Sequence, residues 1–327
     1  MIQPEALLQQ YFGHKAFRAG QKQAIDAILS GRDVLAVMPT GAGKSVCYQI
    51  SALLLPGVTI VISPLISLMK DQVEALRQVG IPAAYINSSI SQEEFYHSMQ
   101  MLQQGQCRIL YVAPERLMTE SLLRLAQRVQ ISMIAVDEAH CVSQWGQDFR
   151  QSYLDIPVFM EQLPVRPVCT AFTATATKQV EADIARILKL RDPETIHTGF
   201  DRKNLFFGVR RPNSKMTELF HLLKENDGKS GIVYCSTRKA VEEVCASLCD
   251  TGFDATRYHA GLSDVERAQN QDDFLYDRKP IMVATNAFGM GIDKSNVSFV
   301  IHYNMPMDLE SYYQEAGRAG RDGEPAQ

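Results

Sequence analysis

Short apolar runs rich in β-branched residues recur at 33–38, 58–62, 108–113, 132–136 and 168–173, separated mostly by segments of helical period. Parallel strands can be joined only by long crossovers, so this alternation confines the first part of the chain to an α/β fold with a mostly parallel sheet. The crossover helices are expected over 44–55, 65–78, 91–104, 115–127 and 178–189. The runs are apolar at nearly every position rather than every second one, which is the pattern of strands covered by helices on both faces. Around 191–214 the rhythm lapses into a polar, basic stretch, and a second series of the same kind then begins. Its strands are expected near 231–234, 281–284 and 297–303, and its helices near 238–251, 263–275 and 308–317. The boundary is placed at Asn204, dividing the chain into 1–203 and 204–327.

Lys and Arg number 33 against 37 Asp and Glu, a formal net charge of −4, which excludes a partner that binds nucleic acid through bulk positive charge. A nucleic-acid site has to be a local patch. The longest apolar runs fall far short of the ~20 residues of a membrane-spanning helix, and the first residues, Met1-Ile2-Gln3-Pro4-Glu5, lack the basic start and apolar core of a secretory leader. A protein that stays inside the cell, with no membrane partner, is therefore expected. The 7 cysteines include no C-x-x-C pair, so neither a disulfide framework nor a zinc site is expected. Cys245 and Cys249, four apart, are expected on the buried face of one helix.

The run at 33–38 leads into Pro39-Thr40-Gly41-Ala42-Gly43-Lys44-Ser45 and then a helical stretch. Backbone N–H groups close on an anion only where side chains are absent, so this strand, glycine loop and helix suit a phosphate cradle. Thr40, Gly41, Ala42 and Gly43 would wrap the phosphates, Lys44 would reach the outer two, and Ser45 would ligate Mg²⁺. Met38 stands where the general pattern has its first glycine. After the run ending at Val136 come Asp137 and Glu138, adjacent carboxylates at a strand's C-terminal end, where open α/β sheets bind ligands. Asp137 would hold Mg²⁺ and Glu138 would orient or deprotonate an attacking water.

Arg18 and Gln21 precede the loop strand. A glutamine amide offers one donor and one acceptor and can pair with both N6 and N7 of adenine, so Gln21 favours ATP over GTP; a surface glutamine opening a helix serves equally well. In the second half, Arg318 and Arg321 lie three apart, on one face if the backbone there is helical. Planar guanidinium groups match the charge spreading over a transferred phosphoryl group. Thr285, Gly291 and Asp293 follow the strand near 281–284, where glycines permit close approach to a ligand.

Together these segments resemble the RecQ family of superfamily 2 DNA helicases. The resemblance rests on FGHKAFRAGQ (12–21), MPTGAGKSVCYQ (38–49), SPLISLMKDQV (63–73), APERL (113–117), DEAHCVSQWGQDFR (137–150), FTATAT (172–177), IVYCSTR (232–238), YHAGL (258–262), VATNAFGMGIDK (283–294) and YYQEAGRAGRDG (312–323). It implies two tandem RecA-like lobes of the P-loop NTPase type and an ATP- and Mg²⁺-dependent motor that moves 3′ to 5′ on single-stranded DNA. It also implies duplex junctions as substrate and roles in repair and recombination, in the cytoplasm of a bacterium or the nucleus of a eukaryote. Gln314 would join Arg318 and Arg321 in catalysis, and Gly291 and Asp293 would touch the nucleotide. Ser63, Lys70, His140, Trp145, Phe149, Arg150, Thr173 and Thr285 would contact DNA or relay its presence. Trp145 and Phe149 belong to an aromatic-rich loop, and an exposed aromatic ring can stack on any base; the other role open to Trp145 is to anchor a core.

Four positions depart from the family's pattern: His14 and Gln147 stand for the usual Tyr and His, Lys203 for Pro, and the sequence ends at Gln327, before the expected zinc and winged-helix segments. Weakened unwinding with retained hydrolysis is the corresponding expectation. An RNA-stimulated ATPase and a nucleotide-gated DNA-binding module without productive turnover are the alternatives. The basic residues Arg202, Lys203, Arg210 and Arg211 are expected to form a solvated linker, with the DNA path as the other reading.

Overall fold

A computed structural model describes residues 3–146, 149–199, 202–288 and 294–327. The chain divides into two units, Met1–Phe200 and Asp201–Gln327. The division falls a little before Asn204, because Arg202 already bonds to the second unit: its guanidinium donates to the carbonyls of Gly317, Ala319 and Gly320 at 3.2, 3.1 and 2.6 Å.

The first unit runs α1 (Pro4–Phe12), α2 (Gln21–Leu29), β1 (Val34–Val37), α3 (Lys44–Leu54), β2 (Val58–Ile62), α4 (Ile66–Gln78), β3 (Ala83–Ile86), α5 (Gln92–Gln103), β4 (Ile109–Val112), α6 (Glu120–Ala126), β5 (Ile131–Val136), α7 (Asp155–Glu161), β6 (Val168–Thr173), α8 (Lys178–Ile187) and β7 (Glu194–His197). Its seven strands pair in parallel in the order β3-β4-β2-β5-β6-β1-β7. Successive side chains alternate between two cores: Leu35, Ile134 and Val136 enter one, while Val34, Ala36, Met133 and Ala135 enter the other. Burial on both faces accounts for the uninterrupted apolar runs.

The second unit runs α9 (Lys215–Glu225), β8 (Ser230–Tyr234), α10 (Arg238–Asp250), β9 (Ala255–Tyr258), α11 (Asp264–Leu275), β10 (Ile281–Ala284), β11 (Val297–His302) and α12 (Leu309–Ala316). Its sheet is parallel, in the order β11-β8-β10-β9, and again separates two cores, with Val283 on one side and Met282 on the other.

Several local expectations are corrected. The helix expected over 115–127 begins as a single 3₁₀ turn at Pro114–Arg116, and the α-helix follows only at Glu120. The stretch near 191–214 contains β7, paired with β1, although its outer positions are exposed. Cys245 is buried, but Cys249 is exposed.

Of the basic residues, Lys203, Arg210 and Arg211 are exposed, as expected of a solvated stretch, with Arg210 ion-paired to Glu218 at 2.6 Å and Glu225 at 3.3 Å, whereas Arg202 is half-buried. Among the described residues no helix is long and apolar enough to cross a membrane.

Candidate nucleotide and nucleic-acid sites

Because the strands of the first unit are parallel, the residues following β1, β5 and β6 emerge at one edge of its sheet. Residues 38–43 leave β1 there, with the Met38 N–H donating to Thr173 O at 2.9 Å. Gly41 and Gly43 adopt φ of 82° and 78°, in the left-handed region that glycine enters without steric cost. A side chain at position 43 would also collide with the Gln21 amide, 2.4 Å from where its Cβ would stand. Lys44 and Ser45 therefore open α3 with unpaired first-turn N–H groups beside them, which is the arrangement that attracts phosphate. The Lys44 ammonium donates to Met38 O at 3.1 Å, folding back over the loop.

Gln21 is buried, at 3% exposure, and its amide is fully engaged. It accepts from the Arg18 N–H at 2.8 Å and donates to the carbonyls of Ala42 and Gly43 at 3.0 and 3.1 Å. The Arg18 side chain donates to Gly41 O. These two residues hold the loop by its carbonyls, while the Ala42 N–H donates within the loop to Pro39 O at 3.1 Å. The glutamine is thus no surface residue, and it shapes the cradle; the sequence signal for this was its distance of only two short elements from the loop.

Asp137 and Glu138 follow β5. Glu138 takes φ 46°, a left-handed turn at a non-glycine residue, which directs it away from the strand line. Asp137 is almost fully buried, and burial, then the neighbouring Glu138 carboxylate, pushes its carboxyl up to about 7, against the opposing pull of Lys44. One buried Glu138 oxygen, Oε2, has no hydrogen-bond partner. Adjacent carboxylates, one buried and one half-buried with its Oε2 3.4 Å from His140 Nδ1, are a donor set of hard oxygens at the same sheet edge as the loop. It fits Mg²⁺, which keeps several waters and takes few protein ligands. Among the described residues no group of three or more His, Cys, Asp or Glu could hold a metal by itself.

The eight candidate DNA contacts separate by exposure. Trp145 is 72% exposed, so it is not a core anchor, and Phe149, Lys70 and part of Arg150 also reach the surface. Arg150 donates to Pro64 O at 3.1 Å, tying this region to the segment before α4. Ser63, His140, Thr173 and Thr285 are buried. Thr173 bonds His140 Nδ1 at 3.0 Å and Thr175 O at 2.9 Å, and the Ser63 hydroxyl has no partner. These four lie beneath the surface, where they can transmit a displacement but cannot stack on a base. Gln147, Gly291 and Asp293 lie outside the described residues.

In the second unit the two arginines do not share a helical face. α12 ends at Ala316, and Arg318 and Arg321 occupy successive turns, with Gly320 at φ 62° between them. Arg318 is 6% exposed, whereas Arg321 is half-buried, like Gln314. Arg202 and Asn204 fasten these turns from beneath, Asn204 donating to Gly320 O and Glu324 O at 2.9 Å each. Sequence reasoning gave neither residue a role there, because only the fold brings 202–204 to 317–324.

A family model for DEAD/DEAH box helicases matches residues 18–183, and one for the helicase conserved C-terminal domain matches 214–323. The chain is 49% identical over 320 residues to an ATP-dependent DNA helicase RecQ of Bacillus subtilis, covering 98% of this chain and 54% of the relative. It is 46% identical to an ATP-dependent DNA helicase RecQ of Haemophilus influenzae, covering 98% and 52%. The chain thus spans about half the length of these curated relatives. A solved structure of Saccharomyces cerevisiae Dbp5 bound to RNA and ADP BeF3 superposes with a TM-score of 0.76 at 22% identity, over 99% of this chain and 86% of that one, which establishes a shared fold.

Proposed function

The chain belongs to the DEAD/DEAH box helicases and, within them, to the RecQ family, and from that membership we infer that it is the ATP-driven motor core of a DNA helicase. The observation that carries this reading is the meeting, at one sheet edge, of Lys44 and Ser45 with Asp137 and Glu138. Lys44 and the loop N–H groups would bind the phosphates, Ser45 and Asp137 would hold Mg²⁺, and Glu138 would orient the water and accept its proton. The metal supplies charge neutralisation on the phosphate oxygens. Arg321 and Gln314 would stabilise charge on the transferred phosphoryl group, and the buried Arg318 would keep the turn in place.

Trp145 and Phe149 would stack on bases of single-stranded DNA, with the buried His140–Thr173 pair carrying their displacement toward the carboxylates. Movement 3′ to 5′, action at duplex junctions and service in repair and recombination inside the cell follow from the family and form part of the same proposal.

The test is steady-state ATP hydrolysis without nucleic acid, with single-stranded DNA and with RNA of matching sequence, using Lys44→Ala as the blank. Stimulation by DNA well above that by RNA is the expected result. Equal stimulation by RNA would overturn the substrate assignment, and ATP binding without turnover under any condition would leave a nucleotide-gated binder in its place.

A further inference from the structure

Trp145 stands 72% exposed, yet an indole free to move would fold down onto the surface and take its apolar area out of water. Its own packing does not hold it out. The constraint has to come from the backbone that carries it and from whatever that backbone is fastened to.

Residues 139–142 form a 3₁₀ turn whose Ala139, Cys141 and Val142 share a core with Val180 and Ile184 of α8. The chain then doubles back, the Ser143 N–H donating to His140 O at 3.1 Å and the Gly146 N–H to Ser143 O at 3.0 Å. A Cβ at position 146 would stand 2.2 Å from His140 O, so only glycine lets the turn close this tightly. Ser143 is fully buried, and its hydroxyl makes two bonds. The oxygen accepts the Trp145 N–H at 3.1 Å, and its proton goes to Asp183 Oδ2 of α8 at 2.7 Å.

Asp183 is well placed to act as an anchor. It lies beside Ile184, on a helix that buries Val180 and Ile184 in the core, and its other oxygen accepts from Arg186 at 2.7 Å. Arg186, then Ser143, hold the Asp183 carboxyl below its ordinary range, so at neutral pH the bond to Ser143 is charge-assisted. We propose that Asp183 is a positioning residue for Trp145: by fixing the Ser143 hydroxyl it fastens residues 143–146 to α8 and holds the indole where a base of single-stranded DNA can stack on it. Ordering the loop in advance removes a cost that would otherwise be met on binding. The inference rests on the stacking role proposed for Trp145 and names the residue that prepares it.

Trp145 is the chain's only tryptophan, so intrinsic fluorescence reads this loop alone. Asp183→Ala should lower the steady-state anisotropy of that emission. It should also raise the single-stranded DNA concentration that gives half-maximal ATPase stimulation roughly 10-fold, the scale of a lost hydrogen bond to a charged group. The basal rate and the KM for ATP should be unchanged. Asp183→Asn, which keeps an acceptor for the serine, should restore both readouts most of the way, and in a Ser143→Ala background Asp183→Ala should add nothing.

An unmoved half-maximal concentration in a folded Asp183→Ala protein, an Asp183→Asn protein as impaired as Asp183→Ala, or an equal further loss in the Ser143→Ala background overturns the proposal. Should Asp183→Ala fail to fold, Ser143→Ala alone breaks the same link. The same rise is then expected, and no rise would overturn the inference. Stimulation that survives Trp145→Ala intact would sink the stacking role, and this inference with it. Stimulation lost in Trp145→Ala but unmoved in both Asp183→Ala and Ser143→Ala overturns this inference alone.

Discussion

Lys44 and Trp145 are both polar-site residues by sequence, yet their surroundings assign them opposite kinds of sensitivity. The Lys44 ammonium makes a single bond to the Met38 carbonyl and lies at the mouth of the phosphate loop. Lys44→Ala should therefore leave the far-ultraviolet circular dichroism spectrum unchanged and lower ATP turnover by at least ~10²-fold, as loss of one charge-stabilising donor does in other active sites. A variant that unfolds instead would show that the lysine serves the fold. Trp145, at 72% exposure, buries little area, so Trp145→Ala should alter stability by no more than about 0.5 kcal/mol. Its basal hydrolysis should persist while stimulation by single-stranded DNA is lost, which parallel ATPase titrations would measure. Loss of basal and stimulated rates in equal proportion would count against a stacking role. The strand, glycine loop and helix over 34–54 and the adjacent carboxylates after β5 could be read from the sequence because their residues are neighbours in the chain. The engagement of Gln21 and the burial of Ser63, His140, Thr173 and Thr285 could not, because each depends on which other segment comes to lie over it.

Elements show the same division. β2 and β5 announce themselves by apolar runs of five and six residues covered on both faces, whereas β3, β7 and β9 lie at sheet edges and have only four residues each. β7, Glu194–His197, carries a charge and a histidine and becomes a strand only through its pairing with β1. Its position is fixed from Asp33, at the start of β1. The Asp33 carboxylate is 2% exposed and accepts two bonds from Arg166, at 3.1 and 2.6 Å, and one each from the N–H groups of Cys169 and Arg191. One side chain thus joins the beginnings of β1 and β6 to the turn before β7. Removing it leaves two backbone donors without their acceptor and takes its carboxylate from the Arg166 guanidinium, which keeps the carbonyls of Pro167 and Lys189, so Asp33→Ala should cost about 3 kcal/mol in urea unfolding. A loss below ~1 kcal/mol would mean that water replaces these bonds freely. In the second sheet, Gly231 of β8 lies under the Phe299 ring, 2.2 Å from where a Cβ would stand. Gly231→Ala should therefore destabilise that unit by about 1–3 kcal/mol through overpacking, and an unchanged melting temperature would contradict this.

At the scale of the whole molecule, the chemistry is divided between units that each have their own sheet and their own pair of cores. On the proposed reading, the first unit carries the glycine loop, the serine and the two carboxylates that would bind the nucleotide. The second carries Arg318 and Arg321 on turns fastened by Arg202 and Asn204, and on the same reading these arginines would act only when charge develops on a phosphoryl group. Binding and turnover should accordingly separate by unit. Substitution of Lys44 should weaken nucleotide affinity and turnover together, whereas Arg321→Ala should lower kcat by about 10³-fold and leave affinity within a few-fold. Arg318 is 6% exposed, so Arg318→Ala should additionally lower the melting temperature of the second unit. Measured kcat and equilibrium nucleotide affinity for the three variants decide the matter. If Arg321→Ala loses affinity in proportion to rate, the arginine is a ground-state ligand rather than a transition-state one. If it loses neither, the second unit contributes no catalytic charge, and the motor's power stroke would have to be sought in the first unit alone.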